Sequence, residues 1–280
     1  MRCAITGAGG YVGSAMARFF HERGWEVLAL GRRPGPEGSC HVPYELGADL
    51  RPLPWQGVDA LVHCAYDFRP TKWDAIQAVN VAGSKALLRA ACENGVRRIV
   101  FISSLSAFPG CQSLYGKAKM EIESAALELG CEVVRPGLVW ARKPGAMLGA
   151  LESAVTRQRF VPLIGDGSYP QYLVFDEDLA HLVFALCQAD ATAVRRPISA
   201  AHPEKHSLRS LLERLAKKHD CEPRFVPVPW RLMFYGLKTL EALGLPAPFR
   251  SDSLLGIVFQ NPAPDFQLRE MPQITFRPFA

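Results

Sequence analysis

The sequence predicts an α/β fold: a doubly wound parallel sheet with a smaller C-terminal region laid over it. Three observations predict it. From Arg2 to Gly137, short apolar runs alternate with helical patterns at the spacing of parallel strands and crossover helices. A glycine-rich turn, Thr6 to Gly13, joins the first strand to the first helix. Polar side chains recur where the strands end, and ligands of such sheets sit beyond the carboxyl ends of the strands.

The first strand, Arg2 to Thr6, feeds into TGAGGYVG and then into a helical pattern from Tyr11 to Arg23. Gly7 allows the tight turn, Gly10 leaves room for a pyrophosphate against the backbone, and Gly13 lets helix and strand pack closely. The helix opening at Tyr11 and Val12 offers free amides and partial positive charge to phosphates. A glycine loop alone is often only a turn; with a strand before it and a helix after it, this one points to dinucleotide binding. The second strand, Trp25 to Leu30, ends in Gly31-Arg32-Arg33, roughly twenty residues past the glycines. An acid there would grip a ribose 2′-hydroxyl and favour NAD. Arg32 and Arg33 would instead accept a 2′-phosphate, so the expected cofactor is NADP, with NAD the alternative.

His41 to Leu46 reads as a short third strand, after which Asp49 could accept a hydrogen bond from an adenine amine or merely begin a turn. Ala60 to Cys64 is apolar throughout, as a strand buried on both faces is. One helix is expected from Trp73 to Asn94. Its interior Gly83 costs about 1 kcal/mol against alanine, so something should pack closely there. The strand Ile99 to Ile102 ends in Ser103 and Ser104. A helix then carries Tyr115 and Lys119, and a further strand, Cys131 to Val134, ends in Arg135-Pro136-Gly137.

Tyr115 and Lys119 stand at i and i+4 and share one helical face. An ammonium beside a phenol favours the phenolate and is expected to lower the tyrosine pKa from about 10. A phenol so tuned exchanges a proton near neutral pH, and a serine at the strand end can hold the same substrate oxygen. On an amphipathic helix such a pair is more often a half-buried tyrosine with a solvated lysine; it gains weight from the glycine loop upstream.

The chain has 280 residues, 49% of them hydrophobic, and a formal net charge of +5. That length suits one large domain or a domain with a small cap. With no long run of like charge, a nucleic-acid partner is not expected. No two of the eight cysteines have metal-ligand spacing, so no metal is expected. Thiols in apolar patterns, with no leader at the start, lead to the expectation of a reducing, cytoplasmic setting. No apolar run is long enough to span a bilayer. Beyond Ala150 the pattern is less regular. Helices are expected at Asp176–Gln188 with Asp176 as N-cap, at His206–His219 capped by Ser207, at Trp230–Leu243 and at Phe249–Val258. The apolar stripe of Trp230–Leu243 fits a core or pocket-lid face better than a membrane-lying helix, because its polar face is not rich in basic residues.

The stretches TGAGGYVG, GADL, HCA, NVAGS, ISSLSAF, YGKAKMEIE and RPG resemble, in order, the extended branch of the short-chain dehydrogenase/reductase superfamily, the NAD-dependent epimerase/dehydratase group. The later GDGSYPQYLVFDEDLAHLVFAL resembles that group's substrate region. The resemblance implies a Rossmann-type domain over residues 1–150. Residues 151–280 would then be mostly a substrate cap, with some segments returning to the core. It implies Tyr115 as catalytic acid or base, tuned by Lys119, which also reaches the nicotinamide ribose. Ser104 would bind the reacting oxygen, with Ser103 and Ser106 as competitors. Gly7, Gly10, Tyr11, Val12, Gly13, Arg32, Arg33, Asp49, Leu50, His63, Cys64, Ala65, Asn80, Pro136 and Gly137 would hold the dinucleotide. It further implies a homodimer through the helices Trp73–Asn94 and Tyr115–Leu129. Two departures bear on the substrate: Leu138 stands where sugar-nucleotide enzymes of the group usually have Asn, and Gln171 where they usually have a phosphate-clamping Arg. The reductase reading, hydride transfer to or from a small carbonyl or alcohol, is therefore set above a nucleotide-sugar epimerase or dehydratase, which Arg142 and Lys143, as substitute charge, keep as the alternative. A non-catalytic dinucleotide-binding protein is the third reading. Tyr66, Asp67, Phe68, Phe108, Trp140, Tyr169 and Tyr172 are candidates for the substrate wall, though aromatics there are equally at home in a core.

Overall fold

The computed structural model describes residues 1–143, 145–189, 196–247, 249–266 and 274–279. The chain runs β1 (Arg2–Thr6), α1 (Tyr11–His21), β2 (Glu26–Gly31), β3 (Ser39–Pro43), β4 (Ala60–His63), α2 (Trp73–Ile76), a π-helical turn (Gln77–Ala82), α3 (Gly83–Glu93), β5 (Arg98–Ile102), α4 (Leu114–Glu128) and β6 (Glu132–Pro136). It continues through β7 (Leu138–Trp140), α5 (Ala146–Arg157), β8 (Phe160–Ile164), β9 (Pro170–Gln171), β10 (Leu173–Phe175), α6 (Asp176–Gln188), β11 (Ile198–Ala200), β12 (His206–Ser207), α7 (Leu208–Lys218), β13 (Arg224–Val228), α8 (Trp230–Ala242) and α9 (Ser251–Val258).

Among the described residues seven strands form one parallel sheet in the order β11-β6-β5-β4-β1-β2-β3. The fold is Rossmann-type. Chain order reverses about β1, which pairs with β2 on one side and β4 on the other, so a crevice opens beyond its carboxyl end. The central strands are buried on both faces, which is why they read as unbroken apolar runs. On one face α1 and α6 pack through Phe20, Trp25 and Phe184, whose rings meet edge to face at 5.0–5.6 Å. On the other face Leu87, Leu88 and Ala91 of α3 and Ala118, Ile122 and Ala126 of α4 cover the sheet.

A third apolar cluster lies outside the sheet. It combines α5, α7, α8, α9 and the parallel pair β8–β13. The tail links two clusters: Arg277 binds Asp178 of α6, while Phe279 packs on Trp140 and its carbonyl accepts from Arg214 of α7. In α8, Trp230, Met233, Phe234 and Leu237 face this cluster, whereas Leu232 and Tyr235 are exposed. Among the described residues no helix is long and apolar enough to cross a membrane.

Three local expectations are corrected. The helix expected over Trp73–Asn94 is interrupted by the π turn. The extra residue in that turn swings Asn80 inward, where its side chain pairs with both backbone groups of Asp67. The third strand lies at Ser39–Pro43, ending three residues earlier than expected: the Tyr44 N–H makes the last bond to β2, at the Gly31 carbonyl, and the Tyr44 side chain turns into the core. Asp176 is the first residue of α6 rather than its cap; the cap position is Phe175, and the Asp176 carboxylate takes its neighbour's N–H. The close packing expected at Gly83 is present: a Cβ there would lie 2.7 Å from the backbone nitrogen of Gly47.

Candidate active site

A cleft of about 490 Å³ follows the carboxyl ends of β1, β2, β4, β5 and β6. Its floor is the glycine loop. Gly7 has φ +68°, a left-handed conformation that glycine adopts freely, and its N–H bonds the Leu30 carbonyl at 2.8 Å. A Cβ on Gly13 would stand 2.3 Å from the Gly7 carbonyl oxygen, so loop and helix meet at a distance only glycine permits. Among the described residues no side chain caps α1, and its first amides stay open toward the cleft. Tyr11, Val12, Arg32 and Arg33 line the same cleft. Arg33 reaches the Gly9 carbonyl at 3.4 Å; Arg32 makes no hydrogen bond or ion pair among the described residues.

Across the cleft stand Glu45 and Leu46, where the sequence pointed to Asp49 and Leu50. The early end of β3 brings the chain to the crevice sooner. Asp49 lies outside the lining, exposed and paired with Arg51, and Leu50 packs against the core. Cys64 and Ala65 line the wall, but His63 lies behind it. Its ring is fully buried between the Thr6 hydroxyl at 2.7 Å and the Ser84 hydroxyl at 2.8 Å. Burial, with Lys119 nearby, pushes its pKa down to about 3, so it stays neutral and serves as a structural tie. Asn80 is also buried behind the wall and holds the 65–69 loop. One network went unread in the sequence: Arg69 bridges Asp67 and Glu45, closing one loop onto another across the cleft mouth. Only the Asp-x-Arg spacing hints at it, and that spacing is common on surfaces.

The reacting end gathers Ser103, Ser104, Tyr115, Lys119, Pro136 and Gly137. α4 is opened by Ser113, whose hydroxyl accepts the Gly116 N–H. Gly116 is required there, since a Cβ would lie 2.3 Å from the Ser106 carbonyl oxygen. The Lys119 ammonium is 2% exposed and donates to the Ile102 carbonyl at 2.7 Å. It lies 4.7 Å from the ring of Phe101, 5.4 Å from Tyr66 and 5.8 Å from Tyr115. Burial pulls its pKa down to about 8, against the opposing pull of Cys64 and Glu123. Glu123, one turn on, is itself held by a bidentate pair with Arg135, which ties α4 to β6.

The phenol is not tuned as the sequence suggested. Burial pushes Tyr115 up to about 12, and a hydrogen bond with Ser104 offsets only part of that. The i+4 ammonium shares the helical face but is turned to the Ile102 carbonyl and the ring faces, so desolvation dominates. Tyr66 and Phe68 box the phenol in, with ring centroids 4.8 and 5.8 Å from it. Ser103 is buried at the cleft with a hydroxyl that finds no partner among the described residues, and Ser106 bonds through its backbone to Ser104. Of the seven candidate substrate-wall residues, Tyr66, Asp67 and Phe68 line the cleft, Phe68 56% exposed. Phe108 is buried outside the cleft lining; Trp140 packs on Phe175 and Phe279, Tyr169 joins the third cluster, and Tyr172 packs on Phe266.

The open amides of α1, the glycine cradle and the orphaned Ser103 hydroxyl fit an extended, phosphate-bearing dinucleotide that ends beside Tyr115. The model of the NAD dependent epimerase/dehydratase family matches residues 3–198. Among curated proteins, the 2-alkyl-3-oxoalkanoate reductase of Stenotrophomonas maltophilia (strain K279a) is 25% identical over 249 residues, 77% of this chain and 74% of that protein. The methionine adenosyltransferase 2 subunit beta of Rattus norvegicus is 31% identical over 180 residues, 55% of this chain; the match spans about half, 51%, of that protein. Among solved structures, MoeE5 in complex with UDP-glucuronic acid and NAD superposes with a TM-score of 0.70 at 20% identity, covering 82% of this chain and 86% of that one. That likeness is one of fold.

Proposed function

The chain belongs to the NAD dependent epimerase/dehydratase family, a family of enzymes, and from that premise we propose that it is an NADP(H)-dependent oxidoreductase acting on a small, uncharged carbonyl or alcohol. The observation that carries this reading is the meeting of the Ser104 hydroxyl, the Tyr115 phenol and the Lys119 ammonium at one end of the glycine-floored cleft. The nicotinamide, when bound, supplies the two-electron hydride chemistry. Gly7, Gly10 and Gly13 with the amides of α1 would seat its phosphates, Pro136 and Gly137 its amide end, and Lys119 its ribose.

A phenol pushed up to about 12 stays protonated across the neutral range. It is therefore in the form that gives a proton to a carbonyl oxygen as hydride arrives. Ser104 would hold the same oxygen, and Lys119, largely charged below about pH 8, would stabilise negative charge as it develops there. Arg32 supports the choice of NADP: it is an exposed guanidinium at the end of β2, with no carboxylate paired to it among the described residues.

Gln171 bears on the substrate. It lies in β9, 7% exposed, with Gln260 beside it, and offers no cation to a pyrophosphate. Leu138 likewise offers none. The Stenotrophomonas relative is a 2-alkyl-3-oxoalkanoate reductase; a ketone with a carboxylate but no pyrophosphate agrees with a small carbonyl substrate rather than a nucleotide sugar. In the same reading, residues 1–150 bind the dinucleotide and residues 151–280 mostly cover the substrate. The protein works in the reducing cytoplasm, where its eight free thiols persist, and pairs with a second copy through α3 and α4. The test is Tyr115→Phe. It should lower turnover of a reducible ketone panel by about 10²-fold or more, the range of general acid catalysis, with NADPH affinity within about twofold of the native value. Retained turnover would overturn the mechanism.

A further inference from the structure

The first turn of the helix that bears Tyr115 is completed from the far end of the chain. The amides of Leu114, Tyr115 and Gly116 lead α4, and a helix cannot satisfy them itself. Ser113 takes Gly116. The other two go to one side chain: Oδ1 of Asp252 accepts the Leu114 N–H at 2.7 Å, and Oδ2 accepts the Tyr115 N–H at 3.0 Å, across 137 residues of sequence. α4 has no acid of its own in that turn, so the carboxylate facing its positive end comes from α9.

The two residues before Asp252 anchor it. Ser251 binds both oxygens of Glu241 on α8, through its N–H at 2.7 Å and its hydroxyl at 2.8 Å. Arg250 donates to the carbonyls of Phe68, at 2.7 Å, and Pro70, at 3.1 Å. Three consecutive residues thus hold three different segments. Two of those segments present the stacked rings Phe68 and Tyr115, 5.8 Å apart.

We propose that Asp252 is a positioning residue of the active site: its two carboxylate oxygens fix the main chain of Tyr115, and Arg250 fixes the ring stacked on it, so that the C-terminal region sets where the phenol points. Asp252 touches neither cleft nor phenol; it acts through the Leu114 and Tyr115 amides. The proposal rests on the reaction proposed above, and its test carries a readout independent of that reaction.

Asp252→Ala and Asp252→Asn should be compared with the native protein and with Tyr115→Phe. The asparagine keeps the volume but has a single acceptor, and turns an N–H toward an N–H. Hydrogen exchange at the Leu114 and Tyr115 amides should quicken about tenfold or more in both variants, as expected for a lost charge-assisted bond. In ketone reduction, kcat should fall about tenfold or more in both, while KM for NADPH stays within about twofold. Native exchange rates in both variants, faster exchange with kcat kept, or full recovery of kcat by asparagine would each overturn the positioning role. Absence of ketone turnover in the native protein would sink the reaction instead, and the exchange result would still decide whether Asp252 holds these amides.

Discussion

Replacing Lys119 by methionine should make the protein less active and, near neutral pH, more stable against unfolding. The ammonium is buried and its pKa is pulled from the usual 10.5 to about 8. Between those values the unfolded chain holds a proton that the folded chain has lost, so native stability rises with pH across this window. Below about pH 8 both states hold the proton, and the full cost of burying the charge stands, about 3 kcal/mol. The rings of Phe101, Tyr66 and Tyr115 around the ammonium favour its charged form, so that figure is a ceiling. Lys119→Met removes this cost but strips the Ile102 carbonyl of its donor, a loss of about 1–3 kcal/mol that does not vary with pH. The informative quantity is therefore the stability difference between variant and native protein as a function of pH. Urea unfolding without added dinucleotide, at about pH 7, 8, 9 and 10, should show that difference shrinking by about 2 kcal/mol in the native protein's favour. A difference that stays flat over this range would refute the lowered pKa of Lys119 and with it the cost assigned to burying its charge.

Two further outcomes follow from the cleft. Arg32→Ala should weaken NADPH binding by about 10- to 150-fold, the loss of one charge-assisted phosphate contact, and leave NADH nearly unaffected; equal losses in fluorescence titrations with both cofactors would remove Arg32 from the 2′-phosphate. Gly13→Ala should destabilise the fold by about 1–3 kcal/mol and abolish tight dinucleotide binding, because its Cβ would lie 2.3 Å from the Gly7 oxygen; an unchanged denaturant midpoint would show that the loop can shift.

The sheet was legible in the sequence because its strands are buried on both sides and so read as plain apolar runs between turns. The glycine loop was legible because each glycine answers a local steric demand. Tyr115 and Lys119 were legible as a pair through helical periodicity. Their electrostatics were not: periodicity shows a shared face, not that the ammonium turns to a carbonyl or that burial outweighs its charge. The π turn at Asn80 left no trace in hydrophobic spacing, since one extra residue shifts the pattern by less than a turn. Asp252 was invisible for another reason. Its partners are backbone amides, which every residue has, so nothing at position 114 or 115 announces an acid far along the chain.

The outer strand β3 has a consequence for handling the protein. Among the described residues it ends the sheet, and one row of its backbone donors and acceptors meets no neighbouring strand. Yet it is five residues long, mostly solvent-facing, and closes on Pro43, which has no hydrogen to lend. Such a border discourages fibril-like stacking of copies, and a substitution that lengthened it with β-branched residues would invite precipitation at high concentration long before it disturbed the cleft.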